Sequence, residues 1–600
     1  MKKLAQANLN FAFFIILITT GMLGLYASAA TSTNTLLSSV YTLSVASYFG
    51  GALILASVVL LPTRLFSFSR WLTPTLAWVW LVYLVIDFAT FNLYRFHVNW
   101  LLVEMFFADF QGMGVPYFLL GLAAGAVLGI GALVFYLQRL SHRTPEKYYR
   151  VFAGLLTLLI PAFAANAVIH IWADCYDREE ITQINPLFPL YYPVTSNRNG
   201  PRISASLPSL FPAERGEGLR MSGNKGGTVQ YPLKPLVFNG TETPPSILFV
   251  LLESWQADSL QPGIMPNLCE FATTATRFDQ HMAGGSTTVS GVFSLMYGLH
   301  ASYHHNFRSS PQSNPSTLTE TLHAQGYRSR VFTPSNLNRF SLRSLIFSRV
   351  KSDDYVEGPS DQQVVDQYLA NLKSTETSQS PRFDFLFLTS SHSPYLYPPE
   401  FSRFKPLPVV EGGYALNKMA DATPYKNDYH NSLYYVDALL EKVFAELKRQ
   451  NRLDNTMVVV TGDHAEEFNE NGLGYWGHGS NFTRWQTQTP LVVKMPGQRS
   501  GAVETRLSLH QDVVPTVMQD VLGCESPTEH YANGINLFSL PESRGTVLSS
   551  YFTSAYWADG VILESLTGRK YQWEDMNEKK PLGNLKVVKA LMEEERRFLR

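Results

Sequence analysis

Hydrophobic residues are spread unevenly along this chain. Up to Trp172 they gather in long runs separated by short polar stretches; from Asp174 onward they alternate with charges and turn residues. Five runs stand out, at roughly 11–29, 46–61, 76–94, 117–137 and 152–172. A helix needs about 20 apolar residues to cross a bilayer core about 30 Å thick. It also satisfies its own backbone polar groups, which lipid cannot do. The pattern therefore predicts a five-helix transmembrane bundle over residues 1–173. The second run is the least sharply bounded, because Ser and Thr precede it.

The pattern changes again near Ser246. Short apolar runs at 247–252, 383–388, 457–460 and 491–493 read as buried strands, with Asp384 the one polar residue in the second. Helix-like stretches at 290–299, 361–372 and 429–447 lie among them. This alternation predicts an α/β domain with a mostly parallel sheet over residues 246–600. Residues 174–245 are rich in Pro, Gly, Ser and Asn and show little periodicity, so they read as a linker.

Charge adds direction. With 48 Lys and Arg against 49 Asp and Glu, the chain has no basic footprint and no nucleic-acid partner is expected. Lys2 and Lys3, then Arg64 and Arg70, then Arg139, Arg143, Lys147 and Arg150 mark alternate loops. The intervening loops hold no basic residue or only Arg95. Positive loops stay inside, so the N-terminus is expected in the cytoplasm and residues 246–600 on the far side. Lys2-Lys3 with Ala27-Ser28-Ala29 imitates a cleaved leader, but the first run is long and further spans follow. Asp87, Arg95, His97 and His170 are polar residues within or beside the runs. They are expected near helix ends or reaching for the interface, Asp87 being the one well inside a run. The three cysteines, Cys175, Cys269 and Cys524, form no CxxC pair and no zinc-ligand spacing.

Parallel α/β sheets place their chemistry at the carboxyl ends of strands. Three of the apolar runs end in such residues: Glu253 after the first, Thr389 to His392 after the second, and Asp463-His464 after the third. Carboxylates and a neutral imidazole together suit a divalent cation. The stretch Gly284-Gly285-Ser286-Thr287-Thr288-Val289-Ser290-Gly291 precedes a helix. Its hydroxyls fit an N-cap, and beside a metal one of them also fits a nucleophile. A helix N-terminus would welcome a phosphate or sulfate.

These motifs, in this order, resemble the alkaline phosphatase and sulfatase superfamily, near its lipoteichoic acid synthases and lipid A phosphoethanolamine transferases. The resemblance implies one divalent metal ion (zinc, manganese or magnesium) held by Glu253, a nucleophilic threonine, Asp463 and His464. Thr288 matches by its spacing to Tyr297-Gly298, while a Gly-x-Thr alignment selects Thr287. The resemblance also implies substrate contacts from His392, His478 and Arg339. No Cys-x-Pro-x-Arg signature is present, so no formylglycine is expected.

The five runs, Ile171-Trp172-Ala173-Asp174 and Pro189-Leu190-Tyr191-Tyr192-Pro193 look like the YejM/PbgA-like inner-membrane proteins. That likeness implies a role in lipopolysaccharide homeostasis, with lipid A sensing and a regulatory membrane partner in the control of lipid A synthesis. Arg198 and Arg202 would meet lipid A, cardiolipin or another membrane lipid; where the family carries two adjacent arginines, this chain has Asn197-Arg198. The Asp-His pair missing from some regulator-type relatives is kept here, which favours metal-dependent phosphatase activity. A phospholipid-headgroup transferase working through phosphothreonine, and a non-catalytic lipid carrier, are the alternatives.

Overall fold

The computed structural model describes residues 2–28, 35–62, 71–94, 96–108, 117–176, 178–182, 184–193, 227–239, 244–308, 314–338, 341–375, 380–409, 419–551, 553–565, 569–577 and 584–600. The chain divides into two compact units.

In the first unit, five helices are long and apolar enough to cross a membrane: Lys3–Ser28, Leu36–Val59, Leu72–Asn92, Leu120–Arg143 and Glu146–Asp174. The second begins at Leu36, nearly three turns before the apolar run suggested, because its Ser and Thr residues bond back within the helix. Ser38 Oγ and Ser39 Oγ both donate to Thr35 O, and Ser44 Oγ donates to Tyr41 O. Hydroxyls satisfied in this way do not interrupt a span. The fifth span bends at Leu158, where helix Glu146–Thr157 gives way to Leu159–Cys175. Pro161 lies three residues on and lacks the N–H that would reach the Thr157 carbonyl.

Asp87 and His170 do not snorkel: both are buried inside the bundle, and His97 is only partly exposed. Arg95 lies outside the described residues. The linker is not one uniform spacer. Residues 184–191 pack with the bundle through Ile184, Phe188 and Tyr191, whereas Tyr231 packs in the core of the second unit.

That unit is built on an eight-stranded sheet. Its strands are β1 Ser246–Leu252, β2 Thr276–Phe278, β3 Arg328–Thr333, β4 Tyr355–Glu357, β5 Arg382–Leu388, β6 Thr456–Gly462, β7 Leu491–Lys494 and β8 Ala502–Glu504. Their order is β8-β2-β7-β6-β1-β5-β3-β4. Only β7 runs against its neighbours, β6 and β2. Its apolar run looked like the parallel ones because burial on both faces shapes composition, whatever the strand direction. Helices Thr288–Tyr297, Asp361–Ser374 and Thr423–Arg449 cover the faces. Two apolar cores result, one on each side of the sheet: Phe249 and Leu251 of β1 enter one, Leu248 and Val250 the other. A smaller antiparallel sheet, Thr546–Ser549, Ser554–Ala558, Val561–Glu564 and Lys570–Gln572, completes the unit.

Candidate functional site

The central strand β1 pairs in parallel with β6 and with β5. Leu252 faces Gly462 on one side and Leu388 on the other, so all three strands end level. Glu253, Asp463 and Thr389 therefore emerge side by side at the carboxyl edge. Ser254 then turns with φ 58°, a left-handed conformation that a serine adopts at a cost of about 1–2 kcal/mol. Its N–H donates to Asp463 Oδ1 at 2.9 Å, which helps to repay that strain.

Asp463 Oδ1 also accepts the N–H of His464 at 2.9 Å. Its other oxygen, Oδ2, is buried without a hydrogen-bond partner and lies 3.4 Å from His464 Nε2. His464 Nδ1 donates to the carbonyl of Ala465 at 3.0 Å, which leaves Nε2 with a lone pair. That lone pair faces Thr288 Oγ1 at 3.3 Å. Two electron-rich atoms with no proton between them, beside a hydroxyl, make a set that suits a divalent cation. Burial pushes the Asp463 carboxyl up to about 6, against the pull of the Ser254 N–H and the His478 charge. Burial and the His478 charge hold His464 well below its ordinary range. Near neutral pH the pair is therefore a carboxylate and a neutral imidazole, the states a metal requires.

Thr288 reaches this point through glycine. It is the first residue of the Thr288–Tyr297 helix, and Gly291 in the next part of that turn lies against the backbone of Asp463. A Cβ on Gly291 would stand 1.8 Å from Asp463 O, so only glycine allows the contact. The preceding loop is pinned to the smaller sheet, since Ser286 N donates to Ser549 O and Ser549 N donates to Gly284 O. The two threonines have different tasks. Thr287 is the N-cap: its Oγ1 accepts from Ser290 N at 3.4 Å and pairs with Ser290 Oγ at 2.9 Å. Thr288 is half-buried and turns its hydroxyl to His464.

His478 stands over the same point, with ring centroids 4.2 Å from His464 and 5.3 Å from His392. Its Nδ1 bonds to Glu466 Oε2 at 2.8 Å. Burial pulls His478 down, but the buried Glu466 carboxylate more than reverses this and raises it. Burial likewise opposes ionisation of Glu466, and His478 overcomes it, leaving Glu466 below its ordinary range. Glu466 thus favours the protonated form of the His478 ring, which stands beside His464. Tyr395 donates to Glu466 Oε1 at 3.2 Å and holds the carboxylate in place. His392 sits in the loop after β5, which Asp361 secures by accepting the N–H groups of Thr389 and Ser390 at 2.8 Å each.

The structure thus brings Thr288, Asp463, His464, His478 and His392 together. Glu253 is half-buried at the same sheet edge, where its carbonyl accepts from Ser391 Oγ at 2.6 Å. Among the described residues, no three His, Cys, Asp or Glu side chains close into a metal-holding group, so the fit rests on Asp463, His464 and the Thr288 hydroxyl. Arg339, Arg198 and Arg202 lie outside the described residues. Sequence reasoning missed Glu466 and Asp361. Glu466 had a signal, a carboxylate pair one residue beyond Asp463-His464; Asp361 looked like an ordinary helix start.

Residues 245–523 match the sulfatase family model, and residues 1–238 match a domain of unknown function, DUF3413. The inner membrane protein YejM of Salmonella typhi is 25% identical over 98% of this chain and 96% of its own length. Residues 245–523 therefore form a sulfatase-like domain, and the chain as a whole is similar to YejM over nearly its full length. An uncharacterized protein of Haemophilus influenzae is 27% identical over 66% of the chain, a match that spans 61% of that relative. Among solved structures, the lipooligosaccharide phosphoethanolamine transferase A of Neisseria meningitidis aligns with a TM-score of 0.55 at 14% identity. The alignment covers 87% of this chain and 97% of that one, a likeness of fold.

Proposed function

We propose that this is an inner-membrane protein whose domain of residues 246–600 faces the periplasm, binds one divalent cation and hydrolyses a phosphate ester, in the service of lipopolysaccharide homeostasis. The observation that carries the chemistry is the convergence of Thr288 Oγ1, His464 Nε2 and the unpaired Asp463 Oδ2 within 3.4 Å contacts. Asp463, His464 and Thr288, with Glu253 from the adjoining strand end, would hold the metal. Bound there, it would supply Lewis-acid polarisation and lower the pKa of the Thr288 hydroxyl. This chain's own residues supply the rest. The Thr288 hydroxyl is the nucleophile at a helix N-terminus, where N–H groups favour an anionic group. His478, whose protonated form Glu466 favours, binds a phosphate oxygen, and His392 borders the same space.

The membrane setting is supported by the five spans and by the near full-length similarity to a protein named as an inner membrane protein. The loop charges support the orientation. The lipid role rests on the family likeness of the linker, with Arg198 and Arg202 as the residues that would meet lipid A or cardiolipin, and a regulatory membrane protein as partner.

A second reading, transfer of a phospholipid headgroup through phosphothreonine, uses the same Thr288. A local similarity to the phosphoethanolamine transferase EptA of Escherichia coli, 27% identical over 32% of the chain, supports it. The experiment combines three measurements on full-length protein and Thr288→Ala and Arg198→Ala variants: bound metal, phosphate release from a phosphomonoester, and cellular lipopolysaccharide level. Hydrolysis lost in Thr288→Ala and lipopolysaccharide control lost in Arg198→Ala are expected. Hydrolysis that survives Thr288→Ala would overturn the chemistry, and labelled threonine passing its phosphate to a lipid rather than water would favour the transferase. Lipopolysaccharide control lost in Thr288→Ala with Arg198 dispensable would overturn the sensing role.

A further inference from the structure

After the fifth span the chain makes a tight turn, Asn185–Leu187, which polar groups of the second and fifth spans and His97, beyond the third, contact directly. Tyr41 on the second span donates to Asn185 Oδ1 at 2.7 Å. Asn185 Nδ2 meets Nε2 of His170, on the fifth span, at 2.9 Å. The carbonyl of the next residue, Pro186, lies 2.9 Å from His97 Nε2. His97 Nδ1 in turn lies 2.8 Å from Oδ2 of Asp87, on the third span. Asp87 is fully buried and also accepts from Tyr26 on the first span at 2.6 Å and from Val98 N at 2.6 Å. Both ring nitrogens of His97 therefore face oxygen acceptors, a carboxylate and a carbonyl.

A second contact lies a few residues further on. Leu190 takes φ 54°, a strained conformation for leucine, and this leaves Leu190 exposed while Tyr191 points inward. Tyr191 OH lies 2.9 Å from Tyr41 OH and donates to Asn166 Oδ1 at 2.9 Å. Asn166 Nδ2 donates to Ser44 Oγ at 3.1 Å. The hydroxyl hydrogens of Tyr41 and Tyr191 thus serve three contacts, with Asn185, Asn166 and each other, and the network has more than one way to arrange them.

We propose that residues 185–191 form a latch that couples the chain leaving the membrane to the packing of the first, second, third and fifth spans. Closed, the latch satisfies His97 and Asn166. Lifted, it strips His97 of a part-buried acceptor and Asn166 of a buried donor, a loss that favours repacking of the spans. Movement of the connecting chain and rearrangement of the spans are therefore one event. The coupling is independent of the chemistry proposed for the soluble domain.

Hydrogen exchange of the 184–191 amides, measured by mass spectrometry on the full chain in lipid nanodiscs, tests this. Tyr26→Phe is the informative variant, because the Tyr26 hydroxyl bonds to Leu84 O and Asp87 of the third span and not to the latch. Tyr26→Phe and Asp87→Asn are each expected to speed exchange at 184–191 by about tenfold, the change that loss of one buried hydrogen bond implies. Asn8→Ala, which removes a bond from Asn8 Nδ2 to Ser57 near the other end of the first span, should leave those amides unchanged. If only Asn185→Ala loosens the segment, it is a passive anchor and the proposal fails. The proposal also fails if Asn8→Ala loosens the segment as much as Tyr26→Phe does. Should Asp87→Asn fail to fold, Tyr26→Phe, which loses a single hydroxyl, decides alone.

Discussion

Gly291→Ala tests whether the site depends on one close backbone approach. The added Cβ would stand 1.8 Å from Asp463 O, and such contacts essentially never fall below 3.0 Å, so helix or strand end must yield by about 1.2 Å. Backbone lies on both sides, and no flexible side chain can absorb the shift. Carried along the contact, that movement opens the Thr288 Oγ1 to His464 Nε2 separation from 3.3 Å to about 4.5 Å. Overpacking of this kind costs about 1–3 kcal/mol of stability, which a domain of this size survives. The effect on function is larger, because a displacement near 1 Å can cost about 100-fold in rate and a misplaced ligand about 10–100-fold in metal affinity. The assay is calorimetric titration of chelator-stripped, full-length protein with zinc and with manganese, followed by phosphomonoester hydrolysis. Gly263→Ala is the control, since a Cβ there meets nothing within 4 Å. A folded Gly291→Ala protein with unchanged metal affinity and unchanged hydrolysis would refute the reasoning.

Thr287→Ala should cost about 1 kcal/mol in a thermal or urea melt through loss of the cap, yet keep hydrolysis; Thr288→Ala should do the reverse, and a swap of these outcomes would make Thr287 the nucleophile. Asp463→Asn keeps an oxygen for the two N–H groups and turns an amide toward His464, so the metal-free melting temperature should hold or rise. The same variant should lose the metal-induced stabilisation, worth about 2.7 kcal/mol at a hundredfold excess over Kd in the unmodified chain; an undiminished metal-induced shift would count against the site. Glu467 is buried, accepts from Asn471, Asn481 and Gln486, and is pushed by burial from 4.5 to about 8. A raised folded value means that its contribution is full below about 4.5 and lost as pH rises through about 8. The unmodified chain should therefore lose melting temperature relative to Glu467→Gln between these values, and parallel profiles would show that Glu467 does not titrate there.

Much of this protein was determined by its sequence alone. Each span follows from a local property, a run of about 20 mostly apolar residues. Each central strand follows from an apolar run, and the chemistry at the strand ends follows from the parallel α/β rule. Glu253, His392, Asp463 and His464 could be picked out because each lies within four residues of the end of its strand. What the tertiary structure decided depends on contacts between distant residues. Gly291 touches Asp463 across 172 positions, and no local pattern says that this glycine, among 40, sets the distance from Thr288 to His464. The division of labour between Thr287 and Thr288 required knowing which hydroxyl the helix uses as its cap. The direction of β7 could not be read, because a doubly buried strand has the same composition either way. Asp87 stood out in the sequence as a charge well inside an apolar run, but its partners, Tyr26, His97 and through His97 the 185–191 segment, came only with folding. Hydropathy along a chain reports which solvent a segment meets; which partner a buried charge finds is decided only when the segments pack.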